Sequence, residues 1–437
     1  MTRELPELGP NRELHVPSTV ERELPGGLTV LLIRRPSVPL VELRLRIPFA
    51  HAHLARTAVL GQTLLSGTES MSTVEIAAAL QAVGGGLSVG SDPDRLLISG
   101  NALVSGLPRL LSILSDVLTG AVYPAGEVET ERSRLADRIQ VAQSQPSHLA
   151  RVALLKRMYG SHPYAVQTPE PGEVLEVESA ELRDLHAERL QPAGATLVLV
   201  GDLDPEAAVA AAADALAGWT GDGKQVDLDP APDLVAGPVT LVDRPGAVQS
   251  SLRMALPAVP RTHPDHAALQ LANLIFGGYF SSRWVENIRE DKGYTYGPHS
   301  LIEHSVAGSA LVVAAEVATD VTAPALHETV YELGRLATVA PKAEEVEQAR
   351  QYALGTLQLG MSTQSALAGL ASAYSGFGLR LPYLSEHAAR LAALTVDDVA
   401  AAAAKYMAPA KALTVVLGDA GKIAGPLGTI TQLTHDA

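Results

Sequence analysis

The chain has 437 residues, 47% of them hydrophobic and 19% charged, with a formal net charge of −15. That length exceeds what one core ordinarily fills and suits two domains of about 200 residues each. The acidic balance argues against nucleic acid and anionic membranes as partners, and the absence of cysteine excludes disulfides, thiolate metal sites and a cysteine nucleophile.

The opening Met1-Thr-Arg-Glu-Leu-Pro-Glu7 is charged and proline-bearing, unlike a secretory leader. No run approaches the roughly 18 apolar residues of a membrane helix, and the lack of cysteine leans toward a cytoplasmic location. Leu28 to Pro36 leads into Val41 to Pro48; apolar residues alternate and prolines punctuate the ends, which reads as two strands around a turn. A helix then runs to Ser66-Gly67, and helical periodicity returns over 73–83, 106–118, 125–143 and 148–159. Gln191-Pro-Ala-Gly-Ala-Thr-Leu-Val-Leu-Val-Gly-Asp202 closes this half.

Gly221 to Asp233 is rich in Gly, Pro and Asp without periodicity and reads as a linker. Beyond it the pattern restarts. Val239 to Pro245 leads into Ser251 to Pro257, and Pro36 to Pro245 and Pro48 to Pro257 are both displacements of 209. A helix again ends at glycine, at Phe276-Gly-Gly278, and further helices are expected over 323–337, 343–360 and 396–406. Ala408-Pro-Ala-Lys-Ala-Leu-Thr-Val-Val-Leu-Gly-Asp419 repeats the earlier half-end, displaced by 217 from Asp202 to Asp419. The chain is an internal duplication with an offset of about 210. Its fold class is α+β: two homologous, α/β-mixed domains at 15–220 and 238–437, joined by a linker at 221–237.

The richest stretch is Phe276-Gly-Gly-Tyr-Phe-Ser-Ser-Arg-Trp-Val-Glu-Asn-Ile-Arg-Glu-Asp-Lys-Gly-Tyr-Thr-Tyr296. Ser281 to Arg289 reads as a short helix and Gly293 to Gly297 as the loop and strand after it. Arg283, at the helix start, can swing its guanidinium toward Tyr296. A random Arg/Tyr pair is a surface cation and a core ring, but this one is embedded in a dense motif. The segment resembles the substrate-clamping segment of pitrilysin-type zinc peptidases, the family that includes the mitochondrial processing peptidases. The resemblance implies the LuxS/MPP-like metallohydrolase fold. It also implies catalytic roles for Arg283, which holds a peptide carbonyl, and Tyr296, which donates to the oxyanion. Gly277, Gly278, Ser282 and Arg283 would contact substrate, the glycines by close backbone approach.

That family carries zinc on the first helix of the N-terminal domain as His-x-x-Glu-His, about five residues before a Gly-Thr. Two histidines one turn apart share a face, and the Glu takes a proton from the metal-bound water. Here Gly67-Thr68 is present, but the motif's slots fall on Ala58, Gly61 and Gln62. Glu131 could fill the slot of a downstream third ligand, but one exposed carboxylate cannot hold a zinc ion and a solvated helix face is the favoured reading. His51 and His53 form a His-x-His pair without a nearby carboxylate, and His162-Pro163-Tyr164 reads as a structural turn. No metal is expected in this chain.

By resemblance, then, the expected role is a zinc-less subunit of a heterodimeric metalloendopeptidase. The partner would be a homologous subunit with intact His-x-x-Glu-His, holding the zinc, and the substrate an unfolded or short peptide. Two rivals stay open: a non-catalytic structural subunit like the core subunits of respiratory bc1 complexes, and a homo-oligomer that binds peptides or uses an unconventional metal at His51/His53. Homodimer formation by the isolated chain is also left open.

Overall fold

A computed structural model describes residues 14–221 and 228–435. The first sheet is built from β1 (Thr19–Glu23), β2 (Thr29–Arg34), β3 (Leu40–Pro48), β4 (Gly86–Asp92), β5 (Arg95–Leu103) and β6 (Thr196–Gly201), in spatial order β1-β2-β6-β3-β5-β4. The second uses β7 (Val239–Asp243), β8 (Gln249–Pro257), β9 (His299–Ser305), β10 (Gly308–Ala318), β11 (Leu413–Gly418) and β12 (Leu433–His435), in order β12-β7-β11-β8-β10-β9. Five strands superpose in order between the two sheets. The sixth slot is filled from opposite chain ends: β1 runs antiparallel to β2, whereas β12 runs parallel to β7.

Both central strands are apolar runs without alternation. Leu197 to Val200 in β6 and Leu413, Val415, Val416 and Leu417 in β11 are all buried, which requires cover on both faces. One face of each sheet carries the helices of its own half, packed as two separate cores. The other face is covered by a helix from the opposite half. Helix 364–375 lays Leu367, Ala368 and Ala371 on Leu31, Ile33, Val198 and Val200 of the first sheet. Helix 146–159 lays Ala153, Leu154 and Met158 on Ala255, Val312, Leu413 and Val415 of the second. The halves therefore exchange helices, and each fully buried Leu in these layers is worth roughly 1.5–3 kcal/mol.

Polar contacts fix the junction. Arg380 and Glu21 form a two-point ion pair at 2.7 Å, and Arg151 and Glu303 another at 2.9 and 3.1 Å. His162 accepts from the Tyr164 N–H through Nδ1 and donates through Nε2 to Asp229 in the inter-half segment. Its turn is structural, tying 228–238 to the first half. Residues 222–227 of the expected linker lie outside the described residues.

The helices expected at 125–143, 343–360 and 396–406 occur at those bounds. The hairpins Gly86–Leu103 and His299–Ala318 were not anticipated. Their outer strands are sheet edges with exposed, polar or glycine residues, so they lack the apolar alternation that marks a half-buried strand.

Candidate functional site

The helix of residues His266–Asn273 does not stop at the glycine pair; it loosens into a π-helical turn over Leu274–Gly278. A second such turn, Glu286–Asp291, follows the short helix Arg283–Val285. Wide turns of this kind are uncommon and concentrate at functional sites. Between them Trp284 is buried, stacks on Phe276 at 5.3 Å, and donates through Nε1 to Thr329 at 3.0 Å. The segment is thus bolted to the second core.

That anchoring revises several expected roles. A Cβ on Gly277 would lie 2.8 Å from Ser300 Oγ and 2.9 Å from Trp284, and one on Gly278 3.0 Å from Asn273 and Leu274. The chain itself fills the space that a side chain would take at either glycine, so internal packing alone accounts for both. Ser282 is 1% exposed, out of reach of a ligand.

Arg283 does not turn toward Tyr296. Its Nε and Nη2 donate to the two oxygens of Glu345 at 2.6 and 2.7 Å, and Glu345 also accepts the Lys342 N–H at the start of helix 343–360. The pair holds the Glu345 carboxyl below its usual range and raises the Arg283 guanidinium. Two-point binding to a preorganised carboxylate leaves Arg283 no freedom to swing.

The cation beside Tyr296 is Arg289. Its guanidinium lies 5.0 Å from the Tyr296 ring centre and 4.2 Å from that of Phe280. Tyr296 is 86% exposed. Gly293 supplies a left-handed turn, φ +64°, and Thr295 ties the loop to β10 by donating to the Glu316 carbonyl at 2.6 Å. Arg289, Tyr294, Tyr296 and Glu316 line an open cleft of about 470 Å³. Sequence reasoning missed Arg289. The signal available was spacing: it lies one loop from Tyr296, whereas Arg283 is separated from it by two helical turns.

On the other half, Ala58, Gly61 and Gln62 lie on helix 54–63. Arg138, from helix 125–143, donates to Gln62 Oε1 at 2.8 Å, while Glu131 pairs with Arg134 at 2.7 Å. The residue that reaches the zinc-motif face is therefore a cation, and a guanidinium there opposes a metal ion. His51 and His53 are exposed, and among the described residues no cluster of three His, Asp or Glu is placed to hold a metal. The residues present do not fit zinc.

Comparison with known proteins agrees with this architecture. Residues 57–172 match the family model described as insulinase, peptidase family M16, and residues 176–352 match that of the peptidase M16 inactive domain. The chain belongs to the peptidase M16 family. It is 24% identical to an uncharacterised zinc protease of Streptomyces coelicolor, covering 92% of this chain and 90% of that one. To the "Probable inactive metalloprotease YmfF" of Bacillus subtilis it is also 24% identical, over 64% of this chain and 70% of the relative. A crystal structure of a peptidase M16 inactive domain from Pseudomonas fluorescens shares the fold, with a TM-score of 0.84 at 22% identity over 92% of this chain and 98% of that one. A Helicobacter pylori protease does so with a TM-score of 0.84 at 17% identity, over 92% and 100%.

Proposed function

We propose that this M16 protein is the zinc-less subunit of a two-chain metalloendopeptidase, presenting Tyr296 and Arg289 to a peptide held at a partner's metal. The observation that carries the reading is the pairing of an exposed tyrosine with a guanidinium in an open cleft, on a segment otherwise locked into the core. Exposed Phe280 and Tyr296 share the Arg289 guanidinium, and such a contiguous aromatic patch suits a ligand contact.

A zinc ion on the partner would supply an activated water and polarise the scissile carbonyl. This chain's share is electrostatic. The Tyr296 hydroxyl donates to the oxyanion as the carbonyl becomes tetrahedral, and Arg289 orients the ring and hydrogen-bonds a neighbouring peptide carbonyl. One preorganised donor of this kind contributes about 3 kcal/mol. Arg283 has a positioning role, holding the segment to Glu345. The substrate is an unfolded or short peptide in extended form, adding a strand to a free sheet edge such as β4, which packs beside helix 54–63.

The test is co-expression with a homologue that retains His-x-x-Glu-His, followed by peptide-cleavage assays of each chain and the pair. The pair should exceed the partner alone. Equal rates with and without this chain would sink the reading, and a stable but inert complex would favour a structural subunit.

A further inference from the structure

β3 carries two arginines, Arg44 and Arg46, on the face that looks toward the opposite half. Arg44 has a carboxylate, Glu42, at 3.0 Å, and its counterpart in the second sheet, Arg253, has Glu316. Arg46 has none. It is 7% exposed, its Nε is buried without a partner, and among the described residues its side chain makes no ion pair or hydrogen bond. In the other copy, at the same displacement of 209 that relates Arg44 to Arg253, the residue is Ala255, fully buried beneath helix 146–159. The scaffold therefore does not need a cation at this position.

The guanidinium of Arg46 lines a cavity of about 450 Å³ at the junction of the halves. Three carboxylates share the lining, and each is engaged. Asp92 pairs with Arg95 at 2.9 Å and Glu303 with Arg151 at 2.9 Å. Asp94 accepts from the Tyr164 hydroxyl and, at 3.0 Å, from the Val306 N–H. A fourth arginine, Arg261, packs over the Tyr374 ring at 5.3 Å and has a buried Nε without a partner. Four guanidinium groups against three carboxylates leave the lining one positive charge in excess. Burial, followed by Arg95, disfavours the charged form of Arg46, and the carboxylates of Asp94 and Asp92, neither paired with it, favour it less strongly. The C-terminal end of helix 364–375, which reaches Arg46 at Gly376, offsets only a small part of that cost.

We propose that this cavity binds a monocarboxylate, held by the forked donors of Arg46 and Arg261. A planar, singly charged anion matches the guanidinium fork and cancels the excess charge. An adjoining recess of about 290 Å³ shares Arg261 and contains Phe377, Leu379 and Pro260, room for an apolar body behind the carboxylate. The combined space lies in the size range of small-molecule sites. It shares no lining residue with the Tyr296 cleft, so the inference stands independently of the proposed peptidase role.

A carboxylate of this kind comes from a free peptide C-terminus or from a small organic acid. Calorimetry on the full chain at neutral pH would use four probes: Ala-Ala-Phe, its C-terminal amide, phenylacetate and inorganic phosphate. At least one carboxylate should bind; tripeptide alone identifies a peptide end as the source, and phenylacetate binding identifies a small acid. Arg46→Met should weaken that binding at least 10-fold while leaving the unliganded thermal midpoint unchanged or higher, because it removes an unpaired buried charge. Gly376→Ala is a second variant that keeps the charge. Its Cβ would sit 2.7 Å from Arg46 Nε at an ordinary helical φ of −64°, displacing the guanidinium and lowering affinity without unfolding. No binding of either carboxylate, equal binding of the amide, preference for phosphate, or unaltered affinity in both variants would each overturn the proposal.

Discussion

The two halves share a sheet order but treat their leading helices in opposite ways. In the first half, helix 54–63 is regular and its solvent face ends in a quiet contact, Arg138 on Gln62. In the second, helix 266–273 loosens into a π turn and leads into a segment, with a second π turn after its short helix, that holds Trp284 inside and Tyr296 outside. Duplication kept the scaffold in both copies, while the exposed tyrosine beside a guanidinium stands in one. The difference teaches that a homologous position predicts packing better than it predicts function.

Four changes would break or sharpen that contrast. The largest is Trp284→Ala, which empties a fully buried site and should cost about 3–5 kcal/mol in denaturant unfolding. If the loss is small, the segment is not anchored as described. Next, Tyr296→Phe should lower turnover of the reconstituted pair roughly 100-fold. Because the ring is 86% exposed, its thermal midpoint should not move. Arg289→Ala should follow the same pattern more than Arg283→Ala, whose first effect is on stability.

The third change attempts to give the first half what it lacks. Ala58→His, Gly61→Glu and Gln62→His together should still bind zinc weakly, since Arg138 remains on that face. Adding Arg138→Glu should tighten zinc at least 10-fold, about 1.4 kcal/mol, by competition with a chelating dye. Equal affinity of the triple and quadruple variants would remove Arg138 from the explanation.

The smallest effect concerns three clustered histidines of the second half, His266 and His387 buried and His304 half-buried. His266 lies 3.2 Å from His304 through their Nε2 atoms, and His387 Nε2 bonds Gln270 at 2.7 Å; Arg261 and Arg390 stand nearby. Burial, then the neighbouring arginines, lowers His387 from 6.5 to about 4, and His304 falls to about 3. Depressed values mean that the unfolded chain takes up these protons first as pH falls. Stability is full above about pH 6.5 and declines toward pH 4, by about 1.4 kcal/mol per pH unit for each proton. His387→Gln should flatten that slope by one proton's worth in unfolding midpoints measured at pH 4.5, 5.5 and 7.5. An unchanged slope would show that the histidine cluster does not control it.

The duplication was legible because its anchors are prolines and apolar strand runs, which local physics fixes. The family followed from a dense motif, and the Ala58, Gly61 and Gln62 slots from its Gly-Thr marker. What could not be read was side-chain partnership across the fold. Glu345 lies on a distant helix and captures Arg283; no local pattern announces that, and so Arg289 was passed over. In sequence Gly277 and Gly278 suggest openings for a ligand, whereas Trp284 and Ser300 crowd the first and Asn273 and Leu274 the second. Spacing along a chain states which groups are near in sequence, and ion pairs between helices are decided by packing.

The exchanged helices carry a consequence for the architecture itself. Each sheet has a dry reverse side only because the other copy supplies its roof, so the chain resembles a domain-swapped dimer whose protomers have been fused. Cutting the inter-half segment would not produce two independent proteins. It would leave two fragments that need one another to hide the same apolar surface.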